Sequence, residues 1–287
     1  MKKLTGFALI PLWVCVTSAY AEEDFSMDAE FSLSQDDNLN RTILSSHEVK
    51  DTFATANFGI HTANRISQID FIRYSAHFKY EHFNNISGLD NAEAGAGLKY
   101  SIKPVSGFTK PVYIISADVA WIDSATDIRD STVFTLGLTS SAWMTSTISA
   151  RGGVAYRIKD SDSRVFDNKD LRFFINSDLL LTEQLTSYVT INYIRGDTVS
   201  TANLSSSSPE ILAVINLADQ IEFDTTFGAN QLAYRLDSRT RTLTVGLNYA
   251  IAQKHSLDLS LRNVRSEADS NTDYAVTQIS LSYLLSF

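Results

Sequence analysis

Ser75-Ala76-His77 sets a hydroxyl and an imidazole two residues apart, which in an extended chain turns both to one face. Such a pair is the start of nucleophilic chemistry, but a serine needs its base within about 3 Å and a third group to orient that base. No Asn or Asp is identifiable at the right height on a neighbouring segment, so a lipid hydrolase using Ser75 and His77 is kept only as an exception to a non-enzymatic reading. His47, His61, His82 and His255 show no metal-ligand spacing. Asp36-Asp37-Asn38 offers the hard oxygens that Ca²⁺ or Mg²⁺ prefer, without the Gly and distal Glu of an EF-hand loop. It belongs with Asp123, Asp127, Asp130, Asp160, Asp162, Asp167, Glu267 and Asp269 to a set of acidic connections whose plainer account is solvation. No metal and no cofactor is expected.

A larger constellation is spread along the chain. Asp28, Glu30, Arg73, His77, Lys79, Glu81, Glu93, Lys99, Asp118, Arg151, Arg157, Arg172, Asp178, Asp258 and Arg262 all fall on one parity of segments whose other parity is apolar. Ile72/Tyr74/Ala76/Phe78/Tyr80, Tyr113/Ile115/Ala117/Val119/Trp121 and Leu243/Val245/Leu247/Tyr249 show the apolar parity. A period of two is the mark of a strand with two unlike faces. Twelve such segments can be counted, each of about ten residues, the length a tilted strand needs to cross a bilayer.

The connections obey the same rhythm. Those at 36–50, 83–90, 124–130, 159–169, 197–229 and 267–272 are long or acidic. They alternate with mostly shorter ones at 62–68, 103–110, 140–145, 182–184 and 252–255, which hold no Asp. Long outer loops and short inner turns are the habit of a transmembrane barrel with both termini on the periplasmic side. In lipid no water can satisfy the backbone, so strands must close on themselves without an edge. Aromatic residues gather near the strand ends, with Tyr80, Trp121, Tyr156 and Tyr193 towards the outside and Tyr100, Tyr249, Tyr283 and Phe287 towards the periplasm, as two interfacial girdles would require. Arg239 and Arg241 fall on the lipid parity, but at the outer end, where long side chains snorkel to headgroups.

The first residues fit an export leader. Lys2 and Lys3 precede an apolar stretch from Phe7 to Val16, and Ala19-Tyr20-Ala21 is a small-x-small cleavage site; cleavage after Ala21 would leave 22–287 as the barrel domain. The stretch is too short for a membrane anchor, which needs about 20 apolar residues. The one cysteine, Cys15, lies within 1–21 and follows a bulky Val where a lipoprotein wants a small residue. The formal net charge is −9, and loss of Lys2 and Lys3 makes the mature chain more acidic still. Nucleic acid, which demands a basic face, is excluded as a partner.

The final segment, Ala275/Thr277/Ile279/Leu281/Tyr283/Leu285/Phe287 on one parity with a terminal Phe, resembles the C-terminal signature of bacterial outer-membrane β-barrels. The stretch from Glu30 to Arg41 resembles the opening strand and loop of porin-like barrels. The resemblance implies that Tyr283, Leu285 and Phe287 form an assembly signal read by the barrel assembly machinery. It also implies a Gram-negative outer membrane with its lipid and lipopolysaccharide as surroundings. Phospholipase barrels use His-x-Ser on one strand, with an Asn from the next. Here the order is reversed and the register turns the pair to the lumen.

The expected fold is therefore all-β, a closed antiparallel barrel of twelve strands, or fourteen if 197–239 holds two more. Within that stretch Pro209-Glu210 opens a short helix over 209–220, with Ile211, Val214, Ile215 and Ala218 on one face. It serves as a constriction in the mouth or rests on the rim. The lumen charges either line a wet pore or pair internally and fill it. The leading functional reading is a monomeric passive channel for small polar solutes. Its alternatives are a non-conducting barrel that binds a surface or envelope partner, and an outer-membrane lipid-modifying enzyme.

Overall fold

The computed structural model of the chain describes residues 24–203, 209–268 and 272–287. The expected leader and Asp269 lie outside them. The strands are β1 (Asp24–Asp36), β2 (Asp51–Arg65), β3 (Asp70–Phe83), β4 (Asn91–Ile102), β5 (Val112–Ser124), β6 (Ser131–Trp143) and β7 (Ile148–Ser161). They continue as β8 (Asn168–Leu180), β9 (Leu185–Asn203), β10 (Gln220–Phe223), β11 (Gln231–Ala252), β12 (His255–Ala268) and β13 (Thr272–Ser286), with one helix, α1 (Pro209–Ile215). Pairing runs β11-β12-β13-β1 and onward to β9, and β9 pairs in turn with β11. Twelve antiparallel strands thus form a closed ring without an edge, with β10 outside it.

Register carries one parity around the whole ring, because directly paired residues share a face. Phe31 opposes Tyr283 and Ala56, while Asp28 opposes Ser286 and Gly59. The odd face of β1 therefore continues as the even face of β2 without a slip. The apolar parity is the outer one: Ile175 is 64% exposed and Leu33 61%, values that only lipid as the surrounding solvent makes tolerable for so many large side chains. Arg241 lies at the outer rim of this face, exposed and 3.7 Å from Glu267.

Buried apolar residues gather at the outer end. One cluster joins Ile211, Val214 and Ile215 of α1 to Ala202 on β9 and to Leu232, Tyr234 and Leu236 on β11. A second joins Val165 and Phe166 to Ala233. Two expectations need correction here. The 197–229 connection is not all loop, because β9 and β11 stay paired past the barrel wall, from Asp197↔Asp237 out to Asn203↔Gln231. The helix stops at Ile215 rather than 220, since Leu217 and Ala218 turn their N–H groups to Val214 and Ile215 in tighter bonds and Asp219 then bonds to Arg235 to begin β10. That extra strand pairs only with the outer end of β11, so it does not raise the ring count to fourteen.

Candidate functional site

Every charged residue of the inner parity takes its place through the ladder. Arg73 pairs with Lys99 and Lys79 with Glu93; Gly97 pairs with Asp118; Arg157 pairs with Asp170 and Ala155 with Arg172. Asp178 opposes Tyr188, Asp258 opposes Asn248, and Arg262 opposes Thr244; Arg151 lies across from Asn176. In the outer half of the lumen part of this set is paired. Lys79 Nζ lies 3.3 Å from Glu93 and 3.7 Å from Glu81, His77 Nε2 is 3.2 Å from the other Glu93 oxygen, and Arg157 Nε donates to Asp170 at 2.7 Å. A cavity of about 270 Å³ lies between Glu93 and Asp118 on one wall and Arg157 and Arg172 on the other. Charges of both signs, Asp170 among them, thus line this hollow.

Glycine keeps this wall thin. A Cβ at Gly97 would stand 2.7 Å from the Ser75 hydroxyl and 2.8 Å from the Asp118 carboxylate. The missing side chain lets both polar groups lie along the wall. Ser75 and His77 therefore sit inside the lumen, with Glu93 as the hydrogen-bond partner of the imidazole. In the inner half, Asp178 accepts from Ser149 at 2.8 Å and Asp258 from Tyr188 at 2.9 Å, while Arg73, Lys99 and Arg151 line a cavity of about 540 Å³.

Above the lumen, the extended β9–β11 ribbon, α1 and β10 form a lid. The even residues Leu232, Tyr234 and Leu236 continue the lumen parity of β11, and α1 packs on them together with Ile43 and Leu44 of the first outer loop. Ile211, Val214 and Ile215, expected as a constriction, are instead the docking face of the helix: all three are buried against the ribbon. Gly196, at φ 152°, lies where the ribbon leaves the wall at the outer end of β8. A Cβ there would strike the Lys169 carbonyl, so the bend needs glycine.

The far side of the lid is latched. Asp224, just after β10, is fully buried and accepts from Arg129 Nη2 at 2.6 Å; Arg129 Nε also donates to Thr226 at 3.2 Å. The guanidinium lies over the Phe166 ring, 4.2 Å from its centroid, a favourable cation–π placement. Burial pushes the Arg129 guanidinium below its ordinary range, and the Asp224 carboxylate pulls it back. Thr226 donates to Thr126, which donates to the Gly88 carbonyl. Gly88 belongs to the turn between β3 and β4, which stands six places from the β9–β11 root in the ring of twelve, counted either way. The segment thus crosses the mouth along a diameter.

Neither the latch nor the use of the outer acids was read from the sequence. Asp90, Asp130 and Asp167 each follow a short 3-10 turn, at Ser87–Leu89, Asp127–Arg129 and Arg164–Phe166. Each accepts the N–H that ends the preceding strand, from Phe83, Ser124 and Ser161, at 2.7–2.8 Å. These carboxylates tie hairpins rather than merely solvate loops. Burial raises the Asp130 pKa; the Ser124 N–H opposes this, and Asp123, Asp162 and Asp127 add to it. The readable signal was the threefold recurrence of Asp followed by Asn or Ser at a descending strand's start. The acidic Asp36 holds Arg41 at 3.2 Å, and Asp37 accepts the Thr277 N–H. Among the described residues no group of three His, Cys, Asp or Glu is placed to hold a metal.

No protein-family model matches this sequence, and no curated relative does either. The fold does have solved counterparts. An outer membrane channel from Pseudomonas putida F1 aligns over 92% of this chain and 95% of its own, with a TM-score of 0.55 at 9% identity. A KdgM porin in complex with disordered oligogalacturonate aligns over 91% and 99%, with a TM-score of 0.47 at 11% identity. LpxR from Salmonella typhimurium aligns over 89% and 99%, with a TM-score of 0.40 at 8% identity. The closed ring, the apolar exterior and the likeness to the Pseudomonas channel make this a twelve-stranded β-barrel of the outer-membrane type.

Proposed function

We propose that the chain is an outer-membrane channel for small polar solutes, with an outer mouth covered by a lid that can undock. What carries the reading is the hollow, charged inner face: two cavities lined by the polar parity, one in each half of the lumen. The lid supports it, since side-chain contacts hold its far end while its root shares the ladder. A structure of that kind can lift without opening the ring. Export through the leader 1–21, and recognition of Tyr283, Leu285 and Phe287 by the barrel assembly machinery, belong to the same proposal. So do a monomeric state and an outer leaflet of lipopolysaccharide around the rim.

The test is conductance in planar bilayers. A lidded channel gives small or infrequent openings, and Asp118→Asn shifts its ion preference because Asp118 lines the lumen. A barrel that never conducts, even with its lid undocked, would instead be the partner-binding alternative. No enzymatic role is assigned: Ser75 and His77 face the lumen, where a bilayer lipid does not reach.

A further inference from the structure

Three cations in the inner half of the lumen have no carboxylate in ion-pair contact among the described residues. Arg73 on β3, its direct cross-strand neighbour Lys99 on β4, and Arg151 on β7 line the same cavity of about 540 Å³. Among the described residues none of the three makes an ion pair. The acids of that half lie off this cavity, Asp178 accepting from Ser149, Asp258 from Tyr188, and Asp28 bonded to His61. Asp118, which pairs with Gly97 next along from Lys99, feels the charge of Lys99 but lines the separate outer cavity. The charged residues lining this cavity are all of one sign. Cations gathered in a wall of low dielectric are stabilised by an anion and focus their field into the hollow.

The rest of the lining defines what kind of anion. Ser116 and Thr139 add hydroxyl donors, while Phe71 and Phe174 add aromatic surface on the same cavity. A guanidinium fork suits a carboxylate bidentately, and an aromatic wall favours an apolar body over a bare inorganic ion. The cavity lies towards the inner turns, at the opposite end of the barrel from the lid.

We infer that the inner half of the lumen binds small organic anions that carry two carboxylates on an apolar body, held by Arg73, Lys99 and Arg151 against Phe71 and Phe174. The inference rests on the channel reading only in placing this site on a permeation path. Binding itself is measurable without conduction.

The experiment uses the refolded chain in detergent, with folding checked by heat modifiability, and titrates phthalate by calorimetry. Inorganic phosphate and benzyl alcohol serve as probes lacking the apolar body and the charge. Phthalate is expected to bind, more weakly as salt is added, and both controls to bind at least about tenfold less tightly. Arg73→Gln and Arg151→Gln should each weaken phthalate about tenfold, the scale of one charge-assisted contact. Lys110→Gln, on an exposed inner turn, should leave binding unchanged. Equal binding of inorganic phosphate would overturn the assignment to organic anions. No phthalate binding by a folded barrel, or equal binding by the Arg73→Gln and Arg151→Gln variants, would overturn the site. The same preparations in planar bilayers separate the two readings: phthalate binding without conductance in a lid-undocked variant removes the channel and keeps the site, whereas conductance without binding does the reverse.

Discussion

Arg129 is the residue on which the lid turns. Its guanidinium meets a carboxylate, Asp224, that has no exposure at all, so Arg129→Ala would leave a buried charge without its partner. Breaking a buried pair from one side costs about 3–5 kcal/mol, more than a lid held by two small apolar clusters can spare. The lid should undock, seen as larger conductance and faster proteolysis within 204–230, while the barrel keeps its heat-modifiable mobility. Arg129→Lys keeps the charge but not the fork that spans Asp224 and Thr226, and should fall between. A variant as resistant and as quiet as the parent would mean that the latch contributes nothing. Asp130 gives the pH dependence. Its pKa is raised in the folded state, so it favours folding while protonated and loses that contribution as pH rises out of the carboxylate range. Asp130→Asn removes the repulsion from Asp123, Asp127 and Asp162, and its amide oxygen can still accept from Ser124. The thermal midpoint should therefore rise at pH 7 and match the parent below the normal carboxylate range, where both are neutral. A constant difference across pH would assign the effect to something other than charge.

Strands obey a rule that needs only the next two residues, which is why the barrel was legible in the sequence. Val119 and Asp118 are adjacent, yet one faces lipid beside Ala96 and Phe134 and the other the lumen beside Gly97. Val119→Arg should cost about 2–4 kcal/mol, as a cation does near the midplane of the lipid face, and Asp118→Arg distinctly less, because water and Glu93 are within its reach. Refolding titrations into lipid vesicles measure both, and equal costs would mean that the faces are reversed. Where the ribbon leaves the bilayer this rule lapses. Residues 197–203 and 231–237 no longer need an apolar outer parity, so Asp-Thr-Val-Ser-Thr-Ala-Asn reads as loop although it is paired throughout. The face of α1 was legible for the opposite reason: Ile211, Val214 and Ile215 repeat at helical spacing. What covers that face was not, because Leu232, Tyr234 and Leu236 come from a strand that the local pattern did not reveal. The latch was beyond reach for a similar reason, since Arg129 and Asp224 stand 95 residues apart and neither lies in a periodic segment.

For the whole molecule the question is whether ring and lid are separable. The ladder between β9 and β11 runs from Leu185↔Tyr249 to Asn203↔Gln231, and every pair inside the wall is made without help from the intervening 204–230. Replacing 204–230 by a two-residue turn should therefore leave a folded, heat-modifiable barrel, since no bond of the ring is lost. It removes the docking face of α1, the strand β10 and the Asp224 half of the latch together. Conductance should then rise and its voltage dependence flatten, because what crossed the mouth has gone and the charged lumen meets bulk solution directly. Ile211→Asn with Ile215→Asn is the milder arm. Each places an amide in a site with almost no exposure, and burying an unpaired amide costs about 1–3 kcal/mol. The pair should undock the helix while the β9–β11 ribbon and the Arg129 latch persist, giving openings larger than the parent's and smaller or noisier than the deletion's. If the deletion folds and its conductance equals the parent's, the segment does not restrict the path. If it fails to fold, the outer ribbon is part of the ring's stability rather than a lid upon it.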